Sequence, residues 1–136
     1  MDRIRDKMKE IESYLNYLVE ITPKTEEEYL QDALTRAACE RYFEKLVEAV
    51  TDAAFLVITE KRWSVPEDDV DAFRILSEKE VIDKELGKRL KDAKGMRNFL
   101  AHQYAKVDDK RVYEALAEEI SDDVRSFLKA IKTFLS

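Results

Sequence analysis

The 136-residue chain is one domain's worth by length; with 45% apolar residues but only two glycines and two prolines, it excludes an all-β fold in favour of long helices with short connections. Its one cysteine, Cys39, excludes an internal disulfide, and no apolar run approaches the length of a membrane span, so a cytoplasmic protein without membrane association is expected. The net charge of −6 at first sight disfavours a nucleic-acid binder, yet residues 79–111 carry ten Lys/Arg against six Asp/Glu, a local +4 compatible with a phosphate-bearing substrate.

Residues 2 to about 20 form a first helix, because Ile4, Met8, Ile11, Leu15 and Leu18 recur at three- and four-residue steps. Asp2 is placed to cap it, and Pro23 breaks the chain after it. Thr25-x-x-Glu28 has the form of a capping box and opens a long helix over about 26–60. Ala33, Ala37, Tyr42, Leu46, Val50, Ala53 and Val57 supply its stripe, widened by Phe43, Val47, Ala54 and Leu56. The later half is apolar over a wider arc than one neighbour needs; it either lies centrally in a bundle or also packs on a second subunit. Cys39 falls in this helix as a small buried apolar residue. Trp63-Ser64-Val65-Pro66 is the next break, with Trp63 either an exposed contact or a cap over the bundle end.

A short helix over about 69–76 carries Val70, Phe73 and Leu76 on one face. Asp83 caps the helix that follows, through Leu86, Leu90 and Ala93. Gly87 and Gly95 interrupt it, each costing about 1 kcal/mol relative to alanine. Gly95 either lets a backbone or ligand approach closely or makes a small-residue contact between helices; both put Arg97 near a tightly packed point. Asp108 caps the last helix, about 109–135, whose stripe is Val112, Leu116, Ile120, Val124, Phe127, Ile131 and Leu135. The sum is an all-α fold, an antiparallel four-helix bundle with an additional short helix, as a single domain over 1–136.

Candidate chemistry concentrates in Gly95-Met96-Arg97-Asn98-Phe99-Leu100-Ala101-His102-Gln103-Tyr104, which holds the only histidine. Residues five apart on an α-helix are about 140° around and ~7.5 Å along the axis. Arg97 and His102 therefore converge only through the long arginine stem, a distortion near Gly95 or after Ala101, or a second copy of the chain. Histidine titrates near neutral pH and serves as acid or base, while arginine keeps its charge and forks two donors at phosphate oxygens. RNA is cleaved without metal when its own 2′-hydroxyl attacks the adjacent phosphate, which needs a base, an acid and positive charge. One chain has one histidine; a symmetric dimer offers two. A single histidine and a single cysteine cannot build a zinc site, and the Asp68-Asp69, Asp108-Asp109 and Asp122-Asp123 pairs are more simply caps or solvated faces. No glycine-rich phosphate loop is present, so neither metal nor cofactor is expected.

Arg97-x4-His102-x-Tyr104 resembles the Arg-x4-His-x-Tyr signature of the HEPN superfamily, and with Gly95 and Asn98 it is similar to HepT toxins. Ala72-Phe73-Arg74-Ile75-Leu76 and residues 41–49 also resemble that family, so the likeness spans most of the chain. The resemblance implies a HEPN-like helical bundle that dimerises, with Arg97 and His102 as catalytic residues facing their copies across a cleft. It implies a metal-independent endoribonuclease toxin acting on RNA, with a minimal nucleotidyltransferase antitoxin as partner and Tyr104 as the residue to which AMP is attached. Asn98 either orients Arg97, binds the substrate backbone or merely lies on the helix surface. Tyr104 could otherwise stack a base or cover the core. The alternative is a non-catalytic HEPN-like module that binds nucleotide, RNA or a partner without cleaving.

Overall fold

Apolar spacing sets most of the architecture. The computed structural model describes residues 2–102 and 106–136. Helix α1 spans Asp2–Ile21, α2 Glu26–Gln31, α3 Ala33–Glu60, α4 Asp69–Glu78, α5 Lys84–His102, α6 Asp109–Glu114 and α7 Ile120–Leu135, with a π-helical turn, Ala115–Glu119, joining α6 to α7. The described residues contain no strand. Four long rods result: α1, α3, α5 and the continuous α6–π–α7 helix. Cross-contacts give their directions. Lys7 meets Asp52, Lys45 lies over the Tyr14 ring and Tyr17 packs on Tyr42, so α1 and α3 are antiparallel. Lys94 reaches Asp69 while Gly87 lies against Ser77, so α4 and α5 are antiparallel too.

The stripe of α1 is buried at all five expected positions. Helix α3 is central: from Ala49 to Ile58 seven of ten residues are buried, with Phe55 and Leu56 half-buried, and the helix packs on α1, α4 and α5. Most of its wide apolar arc is thus covered within one chain, while Tyr42, Phe55 and Leu56 stay half-buried. Cys39 is fully buried, and burial pushes its thiol up in pKa. Trp63 closes the bundle end against Phe134, with ring centroids 5.9 Å apart, and Lys79 lies over its outer face.

Four expectations change. The helix expected over 26–60 is two helices, because Asp32 is extended and its carboxylate accepts from the Leu34 and Thr35 amides at 3.1 and 3.2 Å, capping α3 afresh. That cap turns Ala33, Leu34 and Ala37 outward, and the buried stripe begins at Cys39 and Phe43 instead. Asp2 lies in the first turn of α1 rather than before it. The Thr25 box is only half made: Thr25 Oγ1 accepts from the Glu28 amide at 3.2 Å, but the Glu28 carboxylate takes the Thr25 hydroxyl rather than its backbone N–H. The caps at Asp83 and Asp108 form as expected, through the Leu86 and Arg111 amides.

The π turn has a readable cause. Val112, Leu116, Ile120 and Val124 step by four residues three times in succession. On a regular α-helix each such step drifts about 40° around the axis, so the stripe would leave the core. A wider turn absorbs the excess residue, and all four side chains stay buried.

Candidate functional site

Helix α5 carries the candidate residues, and three of its cations fasten it to three different helices. Arg89 Nε donates to Asp123 of α7 at 2.8 Å, Lys94 Nζ meets Asp69 in the first turn of α4 at 3.0 Å, and Arg97 Nη2 pairs with Glu48 of α3. Lys94 is 4% exposed, an uncommon depth for a lysine, and it sits one turn before Arg97 and Asn98. Asp123 is nearly as deep, and burial raises its carboxyl above the usual range although Arg89 pulls it down. The excess positive charge of residues 79–111 is therefore largely answered by carboxylates from other helices. Arg111 is answered as well, forking onto Glu119 across the π turn at 3.0 and 3.1 Å.

Arg97 leaves α5 half-buried. Its Nη2 donates to the Glu48 carboxylate, its Nη1 to Asn98 Oδ1 at 3.2 Å, and its Nε is buried with no acceptor. Asn98 thus touches Arg97 directly. His102 is the last residue of α5 and is exposed. The helix is regular from Lys84 to His102, so no distortion at Gly95 brings Arg97 and His102 together. Tyr104 lies outside the described residues, as does the chain just after Ala101 and His102.

Gly95 differs from expectation. Among the described residues a Cβ added there would meet nothing within 4 Å, so within one chain Arg97 does not sit beside a close helix contact at that glycine. The close contact is at buried Gly87, where a Cβ would lie 3.5 Å from Ser77 Cβ and 3.6 Å from Ile82 Cδ1. Gly95 is left on an open face one turn from Asn98. A cavity of about 390 Å³ between α5 and the α6–π–α7 helix is floored by Phe43, Ala93 and Met96 and includes none of Arg97, Asn98 and His102. The candidate residues lie on a different surface. Among the described residues no group of three or more His, Cys, Asp or Glu is placed to hold a metal ion. None of the described helices is long and apolar enough to cross a membrane.

Neither Glu48, beside Arg97, nor Lys94, one turn before it, is singled out by the sequence. Glu48 looks like a solvated position between the apolar residues of α3, and Lys94 like one more surface lysine. Residues 41–49 carried the only signal for Glu48, as part of the family likeness, and nothing marked Lys94.

Comparison with known proteins settles the family. The model of the ribonuclease HepT-like family matches residues 4–131. The chain belongs to the HepT-like ribonuclease family. Among relatives, this HepT-like chain is 30% identical over 89 residues to a protein of Archaeoglobus fulgidus, covering 65% of the one and 66% of the other. It is 23% identical over 114 residues to the tRNA nuclease HepT of Aphanizomenon flos-aquae, covering 84% and 78%. In fold it is similar to the tri-AMPylated HEPN toxin of Shewanella oneidensis, solved in complex with its MNT antitoxin, with a TM-score of 0.91, 21% identity and 98% of each chain covered. The expected all-α HEPN-like bundle is thereby the fold of the HepT-like chain, and its family is one of RNA nucleases.

Proposed function

We propose that this protein is a metal-independent endoribonuclease toxin of a toxin–antitoxin pair, working as a homodimer in which Arg97 and His102 of both chains line one cleft. One observation carries the reading. Arg97, five residues before the exposed His102 on a regular helix, has its guanidinium held by Glu48 and Asn98 rather than left loose on the surface.

The chemistry follows from the two groups. One histidine takes the proton of the 2′-hydroxyl as its oxygen attacks the phosphorus; the other gives a proton to the leaving 5′-oxygen. The P–O5′ bond breaks and a 2′,3′-cyclic phosphate remains on the upstream fragment. Arg97 stabilises the charge that builds on the phosphate oxygens. Two histidines are needed and each chain has one, which is the argument for the twofold cleft. The open face beside Gly95 and the separation of Arg97 from the protomer's own cavity favour a site completed by a second copy.

The Shewanella oneidensis toxin is AMPylated and bound to an MNT antitoxin, and by analogy a minimal nucleotidyltransferase is the partner here, with Tyr104 as the AMP acceptor. AMP at Tyr104 would add bulk and negative charge two residues beyond His102, opposing RNA phosphate.

The test is RNA cleavage by purified protein in chelator. Wild type should cut and leave cyclic phosphate, and folded His102→Ala and Arg97→Ala should not. Cleavage by folded His102→Ala, or strict dependence on added Mg²⁺ with 5′-phosphate products, would end this mechanism. Binding of RNA without cleavage would favour a non-catalytic module.

A further inference from the structure

We infer that Glu48 is a positioning residue for Arg97, a role that rests on the ribonuclease reading above and assigns a third side chain, from a different helix, to that centre. The carboxylate comes from α3, the most enclosed element of the bundle, where the neighbours Val47, Ala49 and Val50 are all buried. It is thus delivered from a rigid rod, while its own side chain is about half exposed at 52%. Arg97 rises from α5 and meets it with Nη2; Asn98, its neighbour in sequence, takes Nη1 at 3.2 Å. The Nε atom is shut away from solvent. Two acceptors on two helices thus fix the plane of the guanidinium, and each terminal nitrogen keeps one further N–H beyond these bonds.

Two effects of Glu48 oppose each other. Its hydrogen bond orders a long side chain that would otherwise sample many rotamers. Its negative charge offsets the pull of Arg97 on an incoming phosphate. The second effect is damped because the carboxylate is half in water, where Coulomb terms are weak and screened by salt. Ordering is not screened, and misplacing a catalytic group by about 1 Å can cost on the order of 100-fold in rate. Ordering therefore dominates: Glu48 raises turnover more than it weakens RNA binding. Asp52, one turn further along α3, does not share this role. It is engaged by Lys7 of α1 at 3.6 Å, and burial holds its carboxyl above the usual range.

The experiment compares wild type, Glu48→Ala, Glu48→Gln and Arg97→Ala for steady-state RNA cleavage, with a thermal melt of each. In parallel, the Arg97 Nε–H signal is followed by ¹⁵N NMR for its exchange with solvent. Glu48→Ala should lower kcat roughly 10- to 100-fold with KM unchanged or lower. Glu48→Gln, which keeps an acceptor for Nη2 and drops the charge, should recover most of kcat. The Nε–H should exchange faster in Glu48→Ala and stay protected in Glu48→Gln. Glu48→Ala that is as active as wild type, or more so, would overturn the assignment and make the carboxylate a competitor of substrate. Glu48→Gln no better than Glu48→Ala, at equal melting temperature, would overturn it as well. If wild type fails to cleave RNA, the ribonuclease reading falls, and the exchange measurement still decides whether Glu48 orders Arg97.

Discussion

At the scale of single residues, the site is a contest between charge and geometry. Arg97 makes two bonds at once, to Glu48 and to Asn98, from two nitrogens fixed in one plane. Lysine at that position would keep the charge and lose the planar geometry that aims two separate donors. Arg97→Lys should therefore fold normally yet cleave RNA about 10- to 100-fold more slowly, by initial-rate assay, and wild-type rates would refute the geometric requirement. Asp123 makes a second test, one that depends on pH. Burial raises its folded carboxyl despite the Arg89 partner, so the folded protein holds this proton more tightly than the unfolded chain does. Its contribution to stability is then present at low pH and is lost as pH rises through the folded pKa. Removing Arg89 deepens that loss, because an ionised Asp123 is left with no countercharge. Arg89→Ala should cost about 1–3 kcal/mol at pH 7 by urea unfolding, and the cost should shrink as the pH falls into the carboxylate range. A cost that grows toward acid would mean the pair is not the cause.

Elements of this fold end by unusual means, and the scarcity of glycine is the reason. Arg62 follows α3 at φ 58° and Glu80 follows α4 at φ 61°, both in the left-handed region. Each is followed by an amide that reaches back into the helix: Trp63 N–H to Ile58 O at 3.1 Å and Val81 N–H to Leu76 O at 2.9 Å. A side chain in that conformation costs about 1–2 kcal/mol, part of which glycine gives back through its freer unfolded state. Glu80→Gly should stabilise the protein by roughly 0.5–1 kcal/mol, seen as a rise in melting temperature. Gly95 runs the other way. It lies in a regular helix with open space where a Cβ would go. Gly95→Ala should stabilise the single chain by about 1 kcal/mol. If a second subunit or RNA lies close against this face, the same change should weaken dimerisation or cleavage while the fold gains. A stabilised variant of undiminished activity would remove Gly95 from the site.

At the scale of the whole molecule, one chain supplies one histidine, exposed at the end of α5. The proposed cleft needs two chains, so analytical ultracentrifugation at micromolar concentration should find a dimer of twice 16.0 kDa. A monomer at that concentration would sink the twofold mechanism. Mixing wild type with inactive His102→Ala offers a functional check. If both histidines of a dimer are needed, a mixed dimer with one histidine should be inactive and activity should fall with the square of the wild-type fraction, whereas two self-sufficient sites should lose activity only in proportion to it.

The sequence by itself determined what depends on local spacing. The stripes of α1, the later half of α3 and the last helix are periodic over many turns, so the bundle and its core could be read residue by residue. Asp83 and Asp108 announced their helices because a cap acts within three residues of itself. Arg97, His102 and Tyr104 stood out through a fixed local pattern, and that pattern pointed to the family. Tertiary structure decided whatever depends on a partner distant in the chain. Glu48 is 49 residues from Arg97, Asp69 is 25 from Lys94 and Asp123 is 34 from Arg89; no periodicity encodes such pairs. The same holds for the glycines. Both interrupt α5 alike in the sequence, but only the face each presents shows that Gly87 meets α4 while Gly95 meets open space. Helical period is a property of neighbours, and it cannot say which carboxylate waits across the bundle for a given cation.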